Sequence, residues 1–90
     1  MDEINSLDEA NDAVLNNDKA LRIQPKAPAP TRYYFVGEDG WMKQICGHAS
    51  ASSVSVEKVR EAVNREIPAN DRLGGGGVRA VEKSEKDRYA

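Results

Sequence analysis

Residues 33–46 constrain this chain more than any other stretch. Tyr33-Tyr34-Phe35-Val36 is followed by Gly37-Glu38-Asp39-Gly40 and then by Trp41-Met42-Lys43-Gln44-Ile45-Cys46. Aromatic and β-branched side chains favour strands, and Asp-Gly is a preferred hairpin dipeptide. The pattern predicts a β-hairpin. Two registers are open at the turn. A two-residue Asp39-Gly40 loop pairs Glu38 with Trp41, and a three-residue loop with a bulge at Gly40 pairs Gly37 with Trp41. Strand side chains alternate between faces. Tyr33 and Phe35 therefore lie on one side, and Tyr34 and Val36 on the other. Both sides are apolar, so both need a cover.

One cover is legible downstream. After Gly47-His48 and a small, polar, loop-like run Ala49–Ser53, a helix opens at Ser55. Val56, Val59, Val63 and Ile67 recur at helical spacing, with Ala62 beside them. Val54 and Val59 form a hydrophobic staple. Glu61 and Arg65 are a favourable i,i+4 pair, and Pro68 ends the helix. A single helix covers a single face. Residues 32–67 also number fewer than the roughly 40 below which chains rarely hold a fold alone. The second cover must come from a flanking arm, from a second copy across a two-fold axis, or from another protein.

The flanks read as arms. In residues 1–24, Ser6 and Glu9 match a capping box. Leu7, Ala10, Val14, Asn17 and Leu21 then recur at spacings of 3 and 4, a weak heptad-like seam. A short helix is predicted from about Leu7 to Asn16, with Leu21 as its furthest extent. It either docks Leu7, Val14 and Leu21 into a partner's groove or covers this chain's own core. This arm holds six acids against Lys19 and Arg22. Residues 25–31 carry three of the four prolines and read as an extended spacer of ~3.1 Å per residue. The Pro25–Pro28 PxxP match is too common a pattern to outweigh that reading. Residues 68–90 contain Gly74–Gly77, a flexible joint. Val78, Val81 and Tyr89 are the larger apolar groups beyond it, too few to form a core.

Composition removes several function classes. Leu, Ile, Val and Phe number 17 of 90 residues, near the level where disorder begins, but the net charge is only −2. One Cys and one His cannot fill a tetrahedral zinc shell, and a shared site between two copies is disfavoured. Cys46-Gly47-His48 lacks the orienting group a nucleophile pair needs, and Ser50, Ser52 and Ser53 make no triad by spacing. Gly37–Gly40 matches GxxG, but its two central acids repel phosphate. The glycine run is no P-loop, because no Lys-Ser/Thr follows. No run approaches the ~18 apolar residues of a membrane span. The acidic start is the opposite of a signal peptide, and an unpaired Cys46 suits a reducing compartment. A cytoplasmic protein is expected, with no metal and no cofactor.

The expected fold class is α+β: a ββα core with a short N-terminal helix and extended arms. The expected function is non-enzymatic protein–protein interaction, as a small assembly or accessory subunit, in a viral particle or comparable complex. The partner is another protein or a second copy of the chain. Tyr33, Tyr34, Phe35 and Trp41 are the expected hot spots, since aromatics dominate interface energetics, with Leu7, Val14 and Leu21 adding reach. A second reading is an inhibitor whose acidic arm masks a basic site on an enzyme. A third is single-strand nucleic-acid binding by the hairpin aromatics beside Arg32 and Lys43, which the neutral charge balance and acidic turn disfavour.

Overall fold

The computed structural model describes residues 3–25, 28–48, 50–71 and 76–88, with the Asp71 side chain left aside. The expected α+β class is present: a five-stranded antiparallel sheet with three helices. Helix α1 (Leu7–Asn11) runs straight into a π-helical turn (Asp12–Asn16). Strands β1 (Lys19–Gln24), β2 (Arg32–Gly37), β3 (Gly40–Ile45) and β4 (Ala51–Ser53) follow. Helix α2 (Val56–Glu66) ends in a 3-10 turn (Ile67–Asp71) and leads to β5 (Gly77–Glu82) and a single turn, α3 (Glu85–Arg88). The strand order is β4-β3-β2-β1-β5. Helix α2 therefore carries the chain from one edge of the sheet to the other.

The first helix occupies Leu7–Asn16 as predicted, and its caps explain its start. Ser6 Oγ accepts from Glu9 N–H at 3.2 Å, while Glu9 Oε2 accepts from Asn5 N–H at 2.7 Å. Reciprocal bonds of this kind satisfy donors that a helix N-terminus leaves free. The helix does not reach Leu21. Asn17 Nδ2 folds back onto Asp12, and Asp18 takes φ +52°. That left-handed conformation is one that Asp tolerates better than most residues, and it reverses the chain into β1. The π turn also breaks the heptad seam, so Ala13 and Val14 are both buried.

The hairpin forms in neither predicted register. Gly37 pairs with Gly40 and Val36 with Trp41, leaving Glu38-Asp39 as the loop. Gly40 has φ +106°, a backbone conformation that glycine adopts without steric cost. The proline segment does not act as a distance spacer. It joins neighbouring antiparallel strands, β1 and β2, so it returns the chain across a single strand separation. Lys26 and Ala27 lie outside the described residues. Ala51–Ser53, read as loop, pairs with β3 as an edge strand.

The largest addition is on the far side. Residues 77–82 pair along all of β1, from Lys19↔Glu82 to Gln24↔Gly77. The segment expected to have too little to bury thus contributes buried Val78 and Ala80. Asn70 fastens this edge. Its Oδ1 accepts from Val78 N–H at 2.7 Å, and its Nδ2 donates to Ile4 C=O. Ile4 N–H in turn donates to Val78 C=O at 3.0 Å. Gly77, at φ +84°, leaves no room for a side chain, because a Cβ there would sit 1.8 Å from Asn70 Oδ1. Gly74 and Gly75 of the predicted joint, and Tyr89, lie outside the described residues.

Candidate interaction site

The register sorts the sheet's side chains by face. Leu21, Ile23, Tyr34, Val78 and Ala80 share the face that packs on α1 and α2, against Ala10, Val14, Val59, Ala62 and Val63. Ala20, Arg22, Tyr33, Phe35 and Gln44 share the other face. The cover for that second face is the chain's own C-terminal strap. Glu85 Oε2 accepts from Arg22 Nη1 at 2.9 Å and from Tyr33 Oη at 3.1 Å. Gln44 Nε2 donates to Lys86 C=O at 3.0 Å, and Lys83 Nζ to Val36 C=O at 3.2 Å. The Lys86 ammonium stands 4.8 Å from the centre of the Phe35 ring, within cation–π range. Burial, then the hydrogen bond to Glu85 and that carboxylate's charge, push the Tyr33 phenol up to about 12.

This geometry places the seven residues picked from sequence. Tyr33, Tyr34, Phe35, Val14 and Leu21 are buried within the chain, Tyr33 at 1% exposure and Leu21 at 0%. Their apolar surface is consumed by the fold, so neither stacking on bases nor docking on a partner is open to them while it is intact. Leu7 and Trp41 remain partly exposed, and the fold brings them together. They line one narrow cleft between α1 and α2, with Val56 at its rim. Val56 is 46% exposed. The free volume there is about 20 Å³, so the cleft is a ridge-and-groove surface and does not engulf a ligand.

The acids of the first arm are also largely engaged. Glu3 pairs with Arg79 at 3.7 Å and Asp18 with Lys83 at 2.7 Å. Glu9 caps α1 and Asp12 holds Asn16 and Asn17. Among the described acids of that arm, Asp8 is the one with no such bond. An arm that spends its carboxylates internally has few left to mask a basic cleft.

A second cleft lies on the other flank of α2, and sequence reasoning did not assemble it. Arg32, Tyr34 and Lys43 rise from β2 and β3 on the helix-covered face. Lys58, Glu61 and Arg65 face them from one side of α2, at spacings of 3 and 4. The cleft is open to solvent, with a volume of about 430 Å³. Only the docking of α2 over this end of the sheet brings these charges together. The helix pattern, read alone, paired Arg65 with Glu61, whereas the fold pairs Glu61 with Lys58 and Arg65 with Glu66.

Among the described residues, no group of three or more His, Cys, Asp or Glu side chains is placed to hold a metal ion, and Cys46 is a free thiol. No helix there is long and apolar enough to cross a membrane. Comparison of the chain with protein-family models, with curated proteins and with solved structures found no match.

Proposed function

We propose that this chain is a non-enzymatic protein–protein interaction module, a small assembly or accessory subunit of a larger complex in a reducing, cytoplasmic setting. A viral particle is one such complex. Its docking surface is the cleft between α1 and α2. One observation carries this reading: Leu7 and Trp41 line the same groove beside the exposed Val56. An aromatic anchor ringed by aliphatic groups is the usual centre of an interface. The narrowness of the groove suits the apolar ridge of another protein's helix or strand, with Arg60 and Asn11 at the border supplying polar contacts.

A photoreactive side chain at Leu7, installed in cells that make the protein, tests this directly. The expected result is a discrete protein adduct that disappears in the Trp41→Ala background. The same group at Glu57, on the outer surface of α2, serves as the control. Equal labelling from both positions, or adducts with nucleic acid alone, would sink the proposal. Sedimentation across a concentration range separates a second copy of the chain from a different partner.

A further inference from the structure

We infer that the basic cleft between α2 and the β2–β3 end of the sheet is a binding site for a phosphate monoester. This site is independent of the apolar cleft on the opposite flank of α2. Four cations converge here from two elements: Arg32 and Lys43 from the sheet, Lys58 and Arg65 from the helix. Their internal neutralisation is incomplete. Lys58 pairs with Glu61 at 3.8 Å, and Arg65 with Glu66 at 3.6 Å. Arg32 and Lys43 have no carboxylate partner among the described residues. Four cations and two acids leave a surplus of two positive charges.

The chemistry of the lining selects the ligand. Arg32 lines the cleft with no carboxylate partner among the described residues, and a charge-assisted bond to an oxyanion is the interaction such a guanidinium lacks. Two guanidinium groups on opposite walls match the oxygens of a phosphoryl group, to which arginine binds in a bidentate manner. A phosphate monoester carries about −1.5 to −2 at neutral pH, which equals the surplus, whereas a carboxylate or a phosphodiester brings a single charge. Burial pushes the Tyr34 phenol upward, and Arg32 and Arg65 pull it back. It stays neutral at pH 7 and supplies a hydroxyl at the floor. The cleft, at about 430 Å³, accepts a phosphoryl group together with part of the molecule that carries it.

The test is a ¹H–¹⁵N titration of the intact protein at constant ionic strength. Inorganic phosphate is expected to give saturable shifts at Tyr34, Lys43, Lys58 and Arg65, and acetate none. Arg32→Gln with Lys43→Gln should weaken phosphate binding at least tenfold while leaving the thermal midpoint within a few degrees. Lys58→Gln with Arg65→Gln, on the exposed helix face, provides the same test if the sheet pair perturbs folding. A phosphoserine peptide that binds tenfold tighter than phosphate identifies a protein side chain as the source of the group. Equal affinities identify a small phosphorylated molecule. Equal shifts with acetate, no saturation, or retention of binding in both double variants would overturn the site. So would a single-stranded oligonucleotide that outcompetes phosphate, because the ligand would then be a phosphodiester chain.

Discussion

On the sheet face toward α1 and α2, Leu21, Ile23, Val63 and Val78 meet side chain to side chain. On the face toward α3, Tyr33 and Phe35 lie beneath a strap fixed by one carboxylate, one amide and two lysines. The first closure is non-directional and scales with apolar area. The second is a set of directional bonds, each worth about 1 kcal/mol net. The contrast shows how a chain with few large aliphatic residues closes a sheet on two sides. It concentrates them on one face and latches the other with polar groups held over aromatic rings.

The comparison fails if the two faces respond alike to mutation. Leu21→Ala removes a fully buried side chain beneath the helices and should cost about 3 kcal/mol in chemical denaturation. Glu85→Ala releases both Arg22 and Tyr33 and should cost about 1–2 kcal/mol, with hydrogen exchange increasing at β2 before it does at β1. Equal losses would mean that the strap belongs to one cooperative core.

Alkaline titration sharpens the same contrast. The folded Tyr33 phenol lies near 12, above its unfolded value of roughly 10, so the folded state retains a proton that the unfolded state loses. Stability should therefore be unaffected below pH 10 and fall as pH rises from 10 to 12. Tyr34 shifts in the same direction and adds to the decline. Glu85→Gln removes the carboxylate charge and should bring the Tyr33 phenolate transition to lower pH, as read by ultraviolet absorbance. The smallest effect belongs to Lys86→Ala, which removes the cation over the Phe35 ring and should cost about 0.5 kcal/mol.

What was legible in the sequence was local. The hairpin, the Val56–Glu66 helix with its Ser55 cap and Pro68 stop, and the Leu7–Asn16 helix all rest on neighbours within a few residues. Strands β1 and β5 were not legible, because Ala20-Leu21-Arg22-Ile23 and Val78-Arg79-Ala80-Val81 are short and each pairs with a segment more than fifty residues away. Leu21 also fell by coincidence on a helical spacing that a π turn and Asp18 interrupt. Of the candidate site, Leu7 and Trp41 were chosen for their chemistry and the fold leaves them accessible. Tyr33 and Phe35 were misjudged because their cover is a polar segment, Lys83 to Arg88, with no hydrophobic pattern to announce it, and Tyr34 because it packs beneath the helices. The basic cleft was hidden for a similar reason: Arg32 and Arg65 become neighbours only through tertiary docking.

The pairing of β1 with β5, fastened where Asn70 bridges Ile4 and Val78, also fixes when the molecule can be finished. A ribosome delivers β1 early and β5 late. Until Glu82 has emerged, β1 has an open edge, and the sheet face beneath the strap is uncovered. Contacts so distant in sequence form slowly, and unpaired strand edges invite association with other chains. The emerging chain therefore exposes an open strand edge, of the kind a chaperone recognises, until β5 has been delivered, and closure of the sheet waits on residues 77–88.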